Sequence, residues 1–314
     1  MKYKGILKKV LGLFIVIFLV MNVMAYFHAY TFTHFTDKAV IKTNAKELST
    51  LQKVQALVFG IDNPRPINRK LPVQKYETIK LKSNKIIECW FIKSDSSKGT
   101  IIICHGYGGQ KSSMLDKSDE FLKLGYNTLI VDFMGSGGSD GNQTTIGFKE
   151  AEQVKTCFEY LQSIGEEKIY MFGTSLGAVA IMKSINDYNL NPKGIIIECP
   201  FGSMYETTCA RFTAMKVPSF PMAGLLVFWG GVQNNFWAFN HRPIEYAKGI
   251  NCPTLLLYGE KDEKVGKSEI DRIYANLKGN KILKTYPLAG HENYLNKYSN
   301  EWLLDIQTFL MESN

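Results

Sequence analysis

The chain has 314 residues, enough for one large α/β domain with an extension. Hydrophobic residues make up 45% and charged residues 21%, an ordinary globular balance that excludes a chain dominated by disorder. The formal charge is +8, but Lys2, Lys4, Lys8 and Lys9 supply half of it just before a long apolar run, so it reads as a membrane-topology signal. Zinc-finger spacing, a basic helix and an aromatic RNA-binding motif are all missing, so no nucleic-acid partner is expected.

Residues 10–27 are apolar apart from Gly12 and Asn22. At helical rise such a segment spans roughly 27 Å, close to the hydrocarbon thickness of a bilayer. Tyr26, Phe27 and Tyr30 are placed to form an interfacial aromatic belt. The rival reading is a secretory signal cleaved after Val23-Met24-Ala25. The length of the apolar run favours an uncleaved anchor. In both cases the lysines stay in the cytoplasm and the rest of the chain is extracytoplasmic, anchored or secreted. Residues 1–30 are thus the anchor or signal segment, and 31–74 a membrane-proximal helix and linker. Leu48, Leu51, Val54 and Leu57 give residues 44–59 a helical rhythm, ended by Pro64, Pro66 and Pro72. This helix and linker are expected to pack on the main domain, residues 75–314.

In that domain, residues 76–81 and 86–92 read as strands of a hairpin around Ser83-Asn84. Residues 100–104 form an apolar run suited to a buried strand. Further strands are expected at 127–131, 168–172, 194–197, 252–258 and 281–286, with helices at 112–124, 147–164, 175–187, 265–277 and 297–311. Strands alternating with helices imply a mostly parallel sheet covered on both faces. In such sheets functional loops follow the carboxyl ends of the strands.

Gly173-Thr174-Ser175-Leu176-Gly177 follows one of these strands and opens a helix, the setting of a nucleophile elbow with Ser175 at its tip. Of the five histidines, His28 and His34 lie near the apolar segment and His241 in an irregular region. His105 follows a strand and suits loop shaping. His291, between the last strand and the last helix, is placed to serve as the base. Asp262, after the strand at 252–258, would orient it, with Glu260 as main rival and Glu198 as a weaker one. The order serine, aspartate, histidine is the one this strand–helix arrangement demands. The backbone N–H of Leu176 is one oxyanion donor, and that of Tyr107, in His105-Gly106-Tyr107-Gly108-Gly109, the second.

HGYGG, the run from Asp132 to Ser139, GTSLG, GEKD and AGHE occur in this order, and together they resemble the α/β-hydrolase superfamily, in particular its serine-aminopeptidase-like and lysophospholipase-like branch. The resemblance covers residues 75–311. It implies an α/β-hydrolase fold: an eight-stranded, mostly parallel sheet with helices on both faces and an inserted helical cap at about 201–248. The glycine-rich stretch after the fourth strand would brace the oxyanion loop. Where the family often has Arg or Lys, this chain has Met134, which weakens a charged substrate contact there. The cap carries Phe212, Phe220, Phe228, Trp229, Phe236, Trp237 and Phe239. They suit an acyl pocket, a membrane-facing surface, or simple packing onto the domain.

The expected activity is a serine hydrolase that cleaves a hydrophobic or lipid ester through an acyl-enzyme. A peptidase or amidase of the serine-aminopeptidase type and a non-catalytic envelope scaffold are the alternatives. No cofactor and no metal are expected: the six cysteines show no ligand spacing and suit small buried hydrophobes. The glycines after Asp132 lack the ending of a phosphate loop.

Overall fold

The structure, a computed structural model, describes residues 2–37 and 49–313. Eight strands form one sheet: β1 (Tyr76–Lys82), β2 (Ile86–Ile92), β3 (Thr100–Cys104), β4 (Asn127–Asp132), β5 (Ile169–Thr174), β6 (Gly194–Glu198), β7 (Thr254–Gly259) and β8 (Lys281–Tyr286). Their order across the sheet is β1-β2-β4-β3-β5-β6-β7-β8. β2 runs antiparallel to both neighbours, and every other pairing is parallel. Each strand expected from sequence is present, within two residues at either end.

The central strands are buried almost along their whole length, and apolar through their middles, because both faces are covered. Ile102, Met171, Ile195 and Leu256 point into one core, shared with helices α4 (Glu150–Ser163), α5 (Leu176–Tyr188) and α9 (Lys267–Asn276). Ile101, Ile103, Phe172 and Leu255 point into the other, shared with α3 (Leu115–Lys123) and α11 (Ser299–Glu312). Two helical segments carry an extra turn at their start. The segment at 112–124 opens as a 3-10 turn at Lys111–Met114 before α3. The closing helix, α11, is as expected within two residues, but a separate turn, α10 (Tyr294–Lys297), precedes it. Tyr298 separates the two, stacking on Tyr286 with its hydroxyl 2.8 Å from the Leu288 N–H.

Between β6 and β7 lie α6 (Met204–Ala214), α7 (Met222–Gln233) and the short α8 (Pro243–Tyr246). The apolar N-terminal run becomes a single helix, α1 (Lys2–Thr33), longer than residues 10–27. By length and composition it fits a membrane anchor or a signal sequence. Its carboxyl-terminal half docks on α7: Trp229 Nε1 donates to Asn22 Oδ1 at 3.2 Å, and Gln233 Nε2 to the Tyr26 carbonyl at 2.8 Å. Ala25, Ala29 and Thr33 form the buried stripe of α1, and Ala223, Val227 and Gly231 that of α7. Small residues at this spacing let two helices approach closely.

The expected aromatic belt is only partly free. Tyr26 meets Trp229 edge to face, and Phe27 meets Phe59. The membrane-proximal helix, α2 (Thr50–Phe59), is capped by Ser49 and Gln52; the expected stretch at 44–48 lies outside the described residues. It packs on α1 rather than on the main domain, with the Leu57 carbonyl 2.8 Å from His28 Nε2. The contact does not cover the apolar side of α2: Leu51, Val54 and Leu57 remain exposed. The linker does reach the main domain. The Pro66 carbonyl accepts the Gly137 N–H, and Asn68 donates to Asp132 at 2.8 Å.

Candidate active site

Strand register brings the loops of interest to one edge. Cys104 lies opposite Gly173, Thr174 opposite Glu198, and Gly259 opposite Tyr286. The chain segments that follow these residues carry Tyr107, Ser175, Asp262 and His291.

Ser175 sits at φ 52°, ψ −110°, a backbone strained for any residue with a side chain. The surrounding glycines make the turn possible. A Cβ on Gly173 would stand 2.6 Å from the Ala178 nitrogen, and one on Gly177 would stand 2.4 Å from the Cys104 carbonyl oxygen. The turn lifts the Ser175 hydroxyl off the sheet and aims the amino end of α5 at whatever binds there.

Ser175 Oγ lies 3.0 Å from His291 Nε2, and His291 Nδ1 lies 2.7 Å from Asp262 Oδ2. A carboxylate only accepts, so Nδ1 carries the proton and Nε2 is left to accept from the serine hydroxyl. Asp262 is itself held: its Oδ1 accepts the Lys264 and Val265 N–H groups at 2.8 and 3.0 Å. Burial disfavours a charged His291 ring. The Cys199 sulfur and the Asp262 carboxylate oppose it and outweigh it, so the pKa is raised above the ordinary histidine value. A base must be neutral to take a proton. The acidic limb of kcat/KM is therefore expected above pH 6.5, the ordinary histidine value. Replacing Asp262 with asparagine should lower that limb as well as the rate, which a pH–rate profile on a soluble ester checks.

The rivals to Asp262 are occupied elsewhere. Glu260 accepts from Thr285 at 2.7 Å on the surface. Glu198 is fully buried, takes hydrogen bonds from Trp302 at 2.7 Å and Thr174 at 3.1 Å, and has its pKa raised by burial.

Leu176, the first residue of α5, has no helical acceptor for its N–H. Among the described residues no acceptor takes the Tyr107 N–H either. The Tyr107 loop is braced on both sides. The His105 ring Nδ1 lies 2.8 Å from the Gly106 carbonyl, and its Nε2 accepts the Phe133 N–H at 3.1 Å. Burial lowers its pKa and keeps it neutral for that double role. Met134 is buried, its N–H donating to Gln153, and reaches no substrate space. His241 is buried between the Ile146 carbonyl and Tyr246, away from Ser175.

A cavity of about 290 Å³ opens beside Ser175 and His291. Phe212 and Phe236 line it, while Phe220, Phe228 and Trp237 face outward, so the cap rings divide between pocket and surface. Three contributors were not legible in the sequence. His28, Ala29, Phe32 and Thr33 of α1 form one wall. Tyr107 donates its hydroxyl to the Phe32 carbonyl at 2.8 Å and stacks on the Phe32 ring. Arg211 of α6 lines the same space. Cys199, which like the other site residues directly follows a strand, brings its sulfur within 4.8 Å of the Asp262 and His291 donor atoms. The six cysteines are all free thiols and five are buried.

The strand order, the carboxyl-edge loops and the inserted helices define an α/β-hydrolase. Residues 95–235 match the family described as serine aminopeptidase, S33. It is 26% identical over 232 residues to the uncharacterized protein YqkD of Bacillus subtilis (strain 168), covering 73% of this chain and 76% of that one. The esterase Pf2001 of Pyrococcus furiosus superposes with a TM-score of 0.66 at 22% identity, over 79% of this chain and 98% of the other. Est1E of Butyrivibrio proteoclasticus, solved with ferulic acid bound, superposes with a TM-score of 0.59 at 17% identity, over 75% and 98%. At such identities the two structures speak for the fold alone.

Proposed function

We propose that this hydrolase is a membrane-anchored serine esterase that cleaves hydrophobic acyl esters through an acyl-enzyme on Ser175. The observation that carries the reading is the Ser175–His291–Asp262 relay opening onto an apolar cavity. Ser175 Oγ attacks the ester carbonyl carbon as His291 Nε2 takes the hydroxyl proton. Asp262 holds the ring in the required tautomer and stabilises its charged form. The oxyanion is received by the Leu176 and Tyr107 N–H groups. The tetrahedral species expels the alcohol, which leaves with the proton from His291. Water then attacks the acyl-enzyme, giving its proton to His291; the second tetrahedral species breaks its bond to Ser175 Oγ, which takes that proton back, and the acid departs. The experiment is hydrolysis of p-nitrophenyl butyrate and octanoate by the full chain in a non-ionic detergent.

The position of α1 supports a substrate drawn from the membrane. About eighteen helical residues are needed to cross a bilayer core. The apolar run therefore has to use residues near Asn22 and Tyr26, which contact α7. That contact brings α7, with Phe228 and Val232 exposed, into the lipid interface and sets the cavity mouth at headgroup level. Orientation follows the lysines, cytoplasmic, with the catalytic part outside. Cleavage after Ala25 would cut within a helix already packed against the cap, which favours the anchored form. An amine-binding carboxylate would speak for a peptidase; among the described cavity-lining residues there is none.

A chain lacking residues 1–20 is expected to lose membrane association and keep its hydrolysis of soluble esters. Removal of residues 1–34 also takes away the Phe32 wall and the carbonyl that holds Tyr107. Because small misplacements of such groups are costly, activity should fall by about 10²-fold. Fractionation and kinetics on both chains decide this.

A further inference from the structure

Cys199 takes no part in the proposed acyl transfer, yet its sulfur lies against the triad. The residue directly follows β6 and is 1% exposed, and its N–H donates to the Leu257 carbonyl of β7 at 2.9 Å. The Cys199 sulfur, an Asp262 carboxylate oxygen and a His291 ring nitrogen all lie within 4.8 Å of one another. Among the described residues this is the one place where three donors of these kinds converge. Linear spacing gives no sign of it, because the three residues follow three different strands, β6, β7 and β8.

A thiolate, an imidazole and a carboxylate are donors that zinc takes, and three protein ligands with one open position is a familiar arrangement for it. Sulfur and nitrogen donors disfavour magnesium and calcium, which prefer oxygen. The cluster is shielded: the Asp262 side chain is fully buried and that of His291 is 18% exposed. His291 is the member that lines the cavity, so an ion reaches the cluster past its ring. Ligand atoms around tetrahedral zinc stand about 3.3 Å or more apart. The 2.7 Å between His291 Nδ1 and Asp262 Oδ2 therefore has to widen, and both side chains stand on loops. An ion shared with Asp262 must take Nδ1, because Nε2 faces Ser175. Neutral imidazole holds one proton, which then moves from Nδ1 to Nε2. The Cys199 thiol gives its proton to water as the sulfur–zinc bond forms. A protonated Nε2 accepts nothing from the Ser175 hydroxyl.

We propose that Cys199, Asp262 and His291 form an inhibitory zinc site, which switches the hydrolase off by holding its base in the wrong tautomer. The inhibition rests on the esterase reading; the site itself is tested without turnover. The full chain in a non-ionic detergent, with a phosphine reductant, is titrated with Co²⁺ as a coloured stand-in, then with Zn²⁺. Cys199→Ser, Cys199→Ala and His291→Ala are titrated alongside, after their thermal midpoints show them folded. One Co²⁺ per native chain is expected, with a thiolate-to-cobalt charge-transfer band that Zn²⁺ abolishes. Both Cys199 variants should lack the band, and His291→Ala should bind Co²⁺ at least about tenfold more weakly, as the loss of one ligand implies. Saturating Zn²⁺ should lower p-nitrophenyl butyrate hydrolysis by about 10²-fold or more, the contribution of a general base. Each Cys199 variant, measured against its own metal-free rate, should resist that loss. A native chain without the band, a band that persists in Cys199→Ser, or unchanged Co²⁺ affinity in His291→Ala overturns the site. Equal Zn²⁺ inhibition of the native chain and both Cys199 variants overturns the switch. A chain that hydrolyses no p-nitrophenyl ester even without metal sinks the esterase reading instead, and the cobalt spectra still decide the site.

Discussion

Replacing Ser175 with alanine is expected to lower ester hydrolysis by about 10⁶-fold, the order found when a serine nucleophile that acts as a unit with its base is removed. The variant should fold normally. The hydroxyl makes one hydrogen bond, to His291, and the elbow is held by glycine contacts and by the Ser175 N–H donating to the Glu198 carbonyl at 2.8 Å. Binding is also retained, because the cavity wall is made by α1, α6 and α7 rather than by the hydroxyl. His291→Ala should cost as much, and the two together little more than either alone, since neither acts without the other. A residual rate in Ser175→Ala close to the native one would mean that water, not the serine, attacks the substrate. A fluorophosphonate probe that labels the native chain and spares the variant provides a check independent of substrate choice. Native chain that resists the probe would revive a scaffold role.

Replacing Lys111 with methionine is expected to destabilise the fold by about 3–5 kcal/mol, the usual cost of leaving one partner of a buried ion pair alone. Lys111 is fully buried. Its ammonium contacts Asp132 and lies 2.7 Å from Glu88, with the Trp90 ring 4.5 Å away. Asp132 also accepts the Lys111 N–H at 2.6 Å, the Gly138 N–H at 2.9 Å and the Asn68 amide at 2.8 Å. This one carboxylate thus ties β4, the glycine-rich loop, the linker and the start of α3 together. Without the cation, Asp132 must either stay charged in a dry site or take a proton and weaken those bonds. For a domain of this size the thermal midpoint should fall by roughly 10 °C. A Lys111→Met/Asp132→Asn double variant should recover part of the loss, because the uncompensated charge is gone. A single variant as stable as the native chain would mean that water reaches Asp132.

The site was legible in unequal parts. Strand ends, the elbow glycines and the order Ser175, Asp262, His291 are local or linear features, and runs of apolar residues betray both-face burial directly. Asp262 and Glu260 stand two residues apart after the same strand, and composition does not separate them. The backbone decides it: the turn after Gly259 buries Asp262 against His291 and leaves Glu260 beside Thr285 at the surface. The placement of Arg211 and Cys199 at the cavity is likewise a matter of neighbours far away in the chain.

The alternation of strands and helices, the apolar N-terminal helix and the residue types at the strand ends can all be read along the chain. These follow from periodicity and from turn chemistry, which act over a few residues. That the end of α1 walls the cavity, that α2 packs on α1, and that Phe32 holds Tyr107 emerges from long-range packing. Each depends on the docking of α1 onto α7, two helices separated by most of the chain. Their small-residue stripes carry no signal of partnership until the fold brings them face to face.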